Sequence, residues 1–156
     1  MRNDQIIYRE GHKDKPLYRI LLNKALLFLA MLPIGSSIRK LLLRLTGINI
    51  GKDVFIASYV LMDDQYPEFI SIENNVTISY RTTILTHDDS KGVISAVTIK
   101  RKAWIGACST ILPGVEIGEY AVVGAGATVN KNVPPKATIV GAKTRIIYNE
   151  IIINTI

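Results

Sequence analysis

Of the two histidines in this 156-residue chain, only His87 stands where it could do chemistry. It lies in Thr86-His87-Asp88-Asp89, an imidazole beside two carboxylates. Neutral imidazole takes up a proton near neutral pH, which suits a general base. One ring nitrogen must then be free to accept, and the other should donate to an orienting acid. Taken alone, a loop histidine next to two aspartates is more often a solvated residue than a catalyst, so its position in the fold decides. The other histidine, His12, falls in a polar N-terminal stretch and reads as an ordinary surface residue. Cys108, the single cysteine, has no partner suggested near it and reads as a structural corner thiol. It rules out an internal disulfide and suits a reducing compartment.

The element that must position His87 shows itself as a period of six. Ile99, Ile105, Ile111, Ile117, Val123 and Val129 recur at every sixth residue, and four residues after each comes Ala103, Ser109, Val115, Ala121, Ala127 or Val133. Six is a multiple of the strand period of two and is foreign to a helix. The chain is expected to turn a corner every six residues and stack on itself as a parallel β-helix, with aliphatics inward and small residues in the corners. Gly106, Gly118 and Gly124 are expected where the turn needs an unusual backbone. Upstream, the same reading gives Ile50, Ile56 and Met62, then Ile72, Ile78 and Ile84, with four extra residues after Met62 and nine after Ile84.

The run Ala103-Trp104-Ile105-Gly106-Ala107, followed by Ile111-Leu112-Pro113-Gly114-Val115-Glu116-Ile117-Gly118 and Val123-Gly124-Ala125-Gly126-Ala127, resembles the hexapeptide-repeat O-acetyltransferases. The resemblance covers roughly Gly47 to Arg145 and implies an all-β solenoid, a left-handed parallel β-helix. The handedness comes from the family, because the usual crossover is right-handed. In that family three hexapeptides make one coil, so both insertions protrude from the same corner on successive coils. Met62-Asp63-Asp64-Gln65 should stack against Ile84-Leu85-Thr86-His87, about 4.8 Å away. A solenoid that breaks its rule twice at one corner is building something there. His87 at that corner matches the family's catalytic histidine. The resemblance implies a general base that activates a sugar hydroxyl against the thioester of acetyl-CoA, by direct transfer, with a backbone N–H holding the oxyanion. Asp64, on the coil below, is the first choice for the orienting acid, with Asp88 and Asp89 as alternatives.

The implied donor, acetyl-CoA, would run past Trp104 to Ala107 and meet main chain at positions matching Ala125 and Asn130. Arg145 matches a basic family position for the CoA phosphates, and Lys143 lies close by; Lys100, Arg101 and Lys102 form an alternative cluster. The segment Gly141-Ala142-Lys143-Thr144-Arg145 lacks the proline the family usually has there. Trp104 directly precedes an inward aliphatic and so points outward, where a subunit contact is the more common use. Family members are homotrimers with sites between subunits, and apolar outer positions such as Trp104 and Tyr120 agree with some association. No metal is expected: a zinc enzyme on this fold needs three histidines, and the repeat holds one.

Charge divides the chain. Residues 1–47 hold nine Lys/Arg and three Asp/Glu, and residues 48–156 hold ten of each, so the whole formal charge of +6 sits on the first segment. A neutral repeat argues against nucleic acid as a partner. The expected division is a basic, apolar helical arm at 1–47 and a repeat domain with a C-terminal cap at 48–156. Residues 1–16 read as loosely held. Leu17–Leu32 is an apolar helix too short to span a membrane, ended by Pro33. Ser36 or Ser37 should cap a second helix with Ile38, Leu41, Leu42 and Leu45 on one side, Arg39, Lys40 and Arg44 on the other, and Gly47 closing it. The arm either packs on the repeat or a neighbouring subunit, or lies on an anionic membrane surface. Pro134-Pro135 should end the strand ladder, with a short strand or helix after it. The function expected is acetyl transfer to a sugar or glycan precursor of capsule, lipopolysaccharide or exopolysaccharide type, in the cytoplasm or at the inner face of its membrane. A small metabolite or antibiotic acceptor, or a non-catalytic scaffold, is the alternative.

Overall fold

The computed structural model describes residues 6–8, 15–141 and 145–148, with side chains for 15–141. The order begins with β1 (Ile6–Tyr8), α1 (Leu17–Met31) and α2 (Ser36–Leu45). The first circuit of strands follows: β2 (Asn49–Ile50), β3 (Phe55–Ile56) and β4 (Leu61–Met62). The second is β5 (Ile70–Ile72), β6 (Thr77–Ile78) and β7 (Thr83–Ile84). After β8 (His87–Asp88) and β9 (Val93–Ser95) comes the third, β10 (Val97–Ile99), β11 (Trp104–Ile105) and β12 (Thr110–Ile111). The fourth is β13 (Glu116–Ile117), β14 (Val122–Val123) and β15 (Thr128–Val129), and β16 (Ala137–Val140) and β17 (Arg145–Tyr148) close the described chain.

The chain visits three parallel sheets in turn. Ile50, Ile72, Ile99 and Ile117 align in the first. Ile56, Ile78, Ile105 and Val123 align in the second, and Met62, Ile84, Ile111 and Val129 in the third. The inward columns are those of the six-residue period, with both insertions where the sequence breaks it. Most of these strands are two residues long and offer one inward and one outward side chain, while β5 and β10, at three residues, turn two inward. The inward ones are buried and form a single cluster that also takes in Leu27, Ala30 and Leu43 from the helices.

The corners differ from the expectation. The unusual backbone falls three residues after the inward aliphatic, at Asp53, Tyr59, Asn75, Arg81, Lys102, Cys108 and Tyr120, all with φ between 53° and 59° or at 61°. Gly106 and Gly118 are needed for a different reason. A Cβ on Gly106 would lie 2.5 Å from the Ala125 nitrogen, and one on Gly118 would lie 2.4 Å from the Pro135 nitrogen, so these glycines let successive circuits touch. Pro134 and Pro135 do not end the ladder. They form a corner over Gly118, and β16 then resumes beside β14. β17 returns antiparallel along β16.

The helices also turn a different face inward. On α2 the buried residues are Arg39 and Leu43, while Ile38, Leu41 and Leu45 are exposed. The reason is the break at Pro33, which leaves the last carbonyls of α1 without helical donors. The Arg39 guanidinium supplies them. It donates to Ala30 O (2.8 Å), Leu32 O (2.8 Å), Ile34 O (3.0 Å), Ile56 O (2.6 Å) and Ser58 Oγ (3.0 Å). Arg19 reaches Leu45 O, and Arg44 reaches Ile50 O and Gly51 O. Arg39 is buried, and Arg19 and Arg44 are held by carbonyls of the molecule nearer its surface. Gly47 closes α2 with φ 105° as expected, but α2 starts at Gly35 without a side-chain cap.

Candidate active site

Two segments leave the repeat at the exit of the third sheet. After β4 the chain runs through Asp63-Asp64-Gln65-Tyr66 into a 3₁₀ turn at Pro67–Phe69. After β7 it forms a hairpin, β8 against β9, with His87 opposite Ile94. β1 adds to the far side of β9, with Ile7 opposite Ile94, so part of the N-terminal segment is strand. The ladder continues one residue past the strands here: Asp63 N–H to Ile84 O (2.9 Å), Leu85 N–H to Ile111 O (3.0 Å) and Leu112 N–H to Val129 O (2.9 Å). This stack puts the two insertions one above the other.

Asp63 is the centre of the site. Its side chain is fully shielded from solvent, and both oxygens are used twice. Oδ1 accepts from the N–H groups of Gln65 (3.0 Å) and Tyr66 (2.9 Å), and Oδ2 from Thr86 N–H (2.8 Å) and His87 Nδ1 (2.5 Å). Burial pushes this carboxyl's pKa up, but the hydrogen bonds from Tyr66, Thr86 and His87, with the charge of His87, outweigh it and hold the pKa below 3.8. An ionised Asp63 requires the proton of neutral His87 to sit on Nδ1, leaving Nε2 to accept. Tyr66 packs edge-on against the imidazole at 5.8 Å between centroids, and the Thr86 hydroxyl ties that loop by donating to Tyr66 O. The ring is thus fixed in orientation, with its side chain 17% exposed.

Two of the acids expected to orient His87 do other work, and the third stands near its other ring nitrogen. Asp64, the first choice, faces Lys24 of α1 at 3.5 Å. Asp88 closes the hairpin: Oδ1 accepts from Ser90 Oγ and N–H, Oδ2 pairs with Lys91, and these contacts, led by the Ser90 hydroxyl, bring its pKa down to about 2. Asp89 comes within 3.7 Å of Nε2 through Oδ2, on the side away from Asp63. Asp63 was there to be found. An aspartate whose oxygen caps the N–H groups two and three residues on makes an Asx turn, and Asp63-Asp64-Gln65-Tyr66-Pro67 has the composition of one. Tyr66 carried no comparable signal, and neither did the face that α1 presents.

A cavity of about 450 Å³ opens beside His87. One wall is the corner, with Leu61, Asp63, Asp64, Leu85 and His87; the other is α1, with Lys24, Leu27, Phe28 and Met31. The residues expected to meet the donor lie higher. Ala107 and Ala125 stack at the entry corner of the third sheet, joined by Gly126 N–H to Ala107 O (2.8 Å), and Asn130 follows β15 on the fourth circuit. Trp104 stands exposed on the second sheet. Lys143 lies outside the described residues, as does His12, and Arg145 is described only as backbone of β17. Lys100 and Arg101 are engaged with Glu73, Glu116 and Glu119, and Lys102 lies over the Tyr120 ring, so that cluster serves its own corner.

Residues 96–131 match the family model described as bacterial transferase hexapeptide (six repeats). The chain carries this hexapeptide repeat and is similar to acetyltransferases that share it. It is 44% identical over 105 residues to YvoF of Bacillus subtilis (strain 168), covering 66% of this chain and 61% of that protein. It is 32% identical over 109 residues to the galactoside O-acetyltransferase of Escherichia coli (strain K12), with 65% and 54% covered. A serine acetyltransferase of Buchnera aphidicola (subsp. Acyrthosiphon pisum, strain APS) is 34% identical over 105 residues, covering 65% of this chain and 38% of that one. The chain therefore spans between about two fifths and three fifths of the length of these curated relatives. Among solved structures, the hexapeptide-repeat acetyltransferase VCA0836 of Vibrio cholerae superposes with a TM-score of 0.72 at 25% identity, over 90% of this chain and 96% of that one. The same protein complexed with acetyl coenzyme A gives 0.69 at 26% identity, over 83% and 86%.

Proposed function

We propose that this chain moves an acetyl group from acetyl-CoA to a hydroxyl of a sugar or glycan precursor, with His87 as general base. The observation that carries the reading is the shielded Asp63–His87 pair, which commits Nδ1 to a carboxylate and leaves Nε2 for a hydroxyl in the adjoining cavity. The donor supplies an activated carbonyl in its thioester. His87 takes the hydroxyl proton at Nε2 as the new C–O bond forms, and returns it to the sulfur as the C–S bond breaks. Asp63 holds the ring and stabilises the transient imidazolium. Ala107, Ala125 and Asn130 lie on later circuits than His87, at the two ends of the third sheet, along which a pantetheine arm can run, in keeping with a structural relative that was solved with acetyl-CoA.

The sugar acceptor is favoured by the galactoside O-acetyltransferase relative. A small hydroxyl metabolite is the second reading, supported by the serine acetyltransferase relative. We take the repeat to be a left-handed β-helix, the protein to be a homotrimer with sites between subunits, and its place to be the cytoplasm. No helix among the described residues is long and apolar enough to cross a membrane. The exposed apolar faces of α1 and α2 suit a subunit contact or a peripheral contact at the inner face of a membrane. Release of CoA thiol from acetyl-CoA, measured across a panel of sugars and serine, tests the reading. Acceptor-dependent release supports it, and none with any hydroxyl acceptor refutes it. Light scattering tests the three-chain mass.

A further inference from the structure

We propose that the segment ahead of α1 positions the base: β1 and Lys15 hold the two loops that carry His87 and Asp63, and Lys15 is a positioning residue for the proposed transfer. The inference rests on that reaction for its purpose, but its test reads the ring of His87 without turnover. The hairpin of His87 does not hold itself. Its pairing spans two residues on each strand, His87 opposite Ile94 and Asp88 opposite Val93, and an isolated two-stranded hairpin is at best barely stable in water. β1 makes it a sheet of three strands, in the order β1-β9-β8. Successive residues of an antiparallel strand turn their N–H and C=O groups to opposite sides. Ser95 N–H goes to Thr86 O (2.7 Å), on the β8 side. Ile94, one residue before it, therefore turns its own groups to Ile7 of β1. The residue opposite His87 is thus held from behind, and it is fully buried.

Lys15 holds the other loop. Its Nζ donates to Gln65 O (2.7 Å), pairs with Glu68 Oε2 (2.6 Å) and lies 5.4 Å from the centre of the Tyr66 ring. All three partners belong to the loop in which the N–H groups of Gln65 and Tyr66 are capped by Asp63, and the Tyr66 ring is the one that packs on His87. The ammonium grips this loop from outside while Asp63 grips it from inside. The Lys15 side chain is mostly out of water, at 18% exposed, so its ion pair and ring contact are less screened than those of a surface lysine. It is delivered by α1. Lys15 stands immediately before Pro16, the N-cap of α1, whose C=O accepts from Arg19 N–H (2.9 Å). The residue before a proline is confined to extended backbone, so Lys15 leaves the helix in a fixed direction. The helix has no need of this contact for itself, since Leu27 and Ala30 already bury it in the shared core. Arg19, in its first turn, separately ties the same end of α1 to Leu45 O (3.1 Å).

The test is nitrogen NMR of the histidine rings in the full-length protein, with His87 assigned from the signals that His87→Ala removes. With the ring neutral, Nδ1 should give the signal of a protonated nitrogen and Nε2 that of a bare one. Lys15→Met keeps the stem and removes the ammonium. It should move both signals towards their mean, because a loosened ring exchanges its proton between the two nitrogens. It should also lower kcat for acetyl transfer about tenfold, with the KM for acetyl-CoA within about twofold. Ile7→Pro removes the donor that β1 offers to Ile94 and should move the signals the same way. Arg19→Met loosens the start of α1 without touching the loop, and should leave both signals and kcat in place at a lower Tm. Wild-type signals in Lys15→Met, or wild-type kcat in a protein that does transfer acetyl groups, overturn the proposal. Wild-type signals in Ile7→Pro overturn the share given to β1. An equal movement in Arg19→Met also overturns it, since Lys15 would then act only by holding the helix. Signals that move as described in a protein that transfers no acetyl group would refute the proposed reaction and leave the hold of Lys15 on His87 standing.

Discussion

Asp63→Asn changes one atom of a side chain with no solvent around it, and its consequences can be worked out bond by bond. The carboxylate accepts four hydrogen bonds, from Gln65 N–H, Tyr66 N–H, Thr86 N–H and His87 Nδ1. An amide has one oxygen to accept with and an NH₂ that only donates. With its oxygen towards Gln65 and Tyr66, the NH₂ faces Thr86 N–H and forces Nδ1 of His87 to become the acceptor, which moves the ring proton to Nε2. A protonated Nε2 cannot take a proton from a hydroxyl, so turnover should fall by roughly 10²–10⁴. With the oxygen towards His87, two buried N–H groups lose their acceptor instead. The first orientation loses one hydrogen bond to a charged group and the second loses two, about 2–3 kcal/mol, or roughly 4–12 °C in Tm for a chain of this size. A thermal melt and a CoA-release assay on the same preparation separate the two effects. The pH dependence adds a sign. Asp63's folded pKa lies below its unfolded 3.8, so the stability it contributes is present above about pH 4 and is lost as pH falls through the folded value. The variant should lose that part of the acid slope. A variant with wild-type turnover would refute the role given to Asp63, whatever its Tm.

Three further outcomes follow from the packing. Gly106→Ala should lower stability by at least about 2 kcal/mol in a urea melt, because its Cβ would stand 2.5 Å from the Ala125 backbone nitrogen. Arg39→Met keeps the stem but leaves the carbonyls of Ala30, Ile34 and Ile56 without this donor, while Leu32 O keeps the Ile34 N–H, and should cost about 3 kcal/mol. A protein beginning at Thr46 loses Leu27, Ala30 and Leu43 from the shared core and should melt early or aggregate; an unchanged Tm would show the arm to be an appendage.

The fold was legible because its rule is repeated. Each inward aliphatic from Ile50 to Val129 reports the same fact, and the two breaks in the period locate the insertions without any knowledge of their shape. What escaped depends on contacts that no period encodes. Ile38, Leu41 and Leu45 have the spacing of a buried stripe, yet α2 turns Arg39 inward because five acceptors at the end of α1, in the strand below it and in its corner need one donor group. Asp63 and Asp64 are adjacent and chemically identical, and coil stacking alone could not choose between them. The choice is made by the Asx turn, which draws Asp63 under Tyr66 while Asp64 stays half-exposed opposite Lys24. Corner glycines were misread for a related reason: the period shows where they stand, but only the next circuit shows that Gly106 and Gly118 are there for contact and not for φ.

His87 can be tested directly. The fold does not depend on its side chain, which lies outside the stacked core and is partly exposed. Initial rates of CoA release at saturating acetyl-CoA, with the best acceptor of a sugar panel, should be lower in His87→Ala than in wild type by roughly 10²–10⁴ in a protein that still folds, its Tm lowered by roughly 3–6 °C for the lost bond to Asp63. A His87→Ala protein that turns over within a few-fold of wild type would contradict the assignment of His87 as the base.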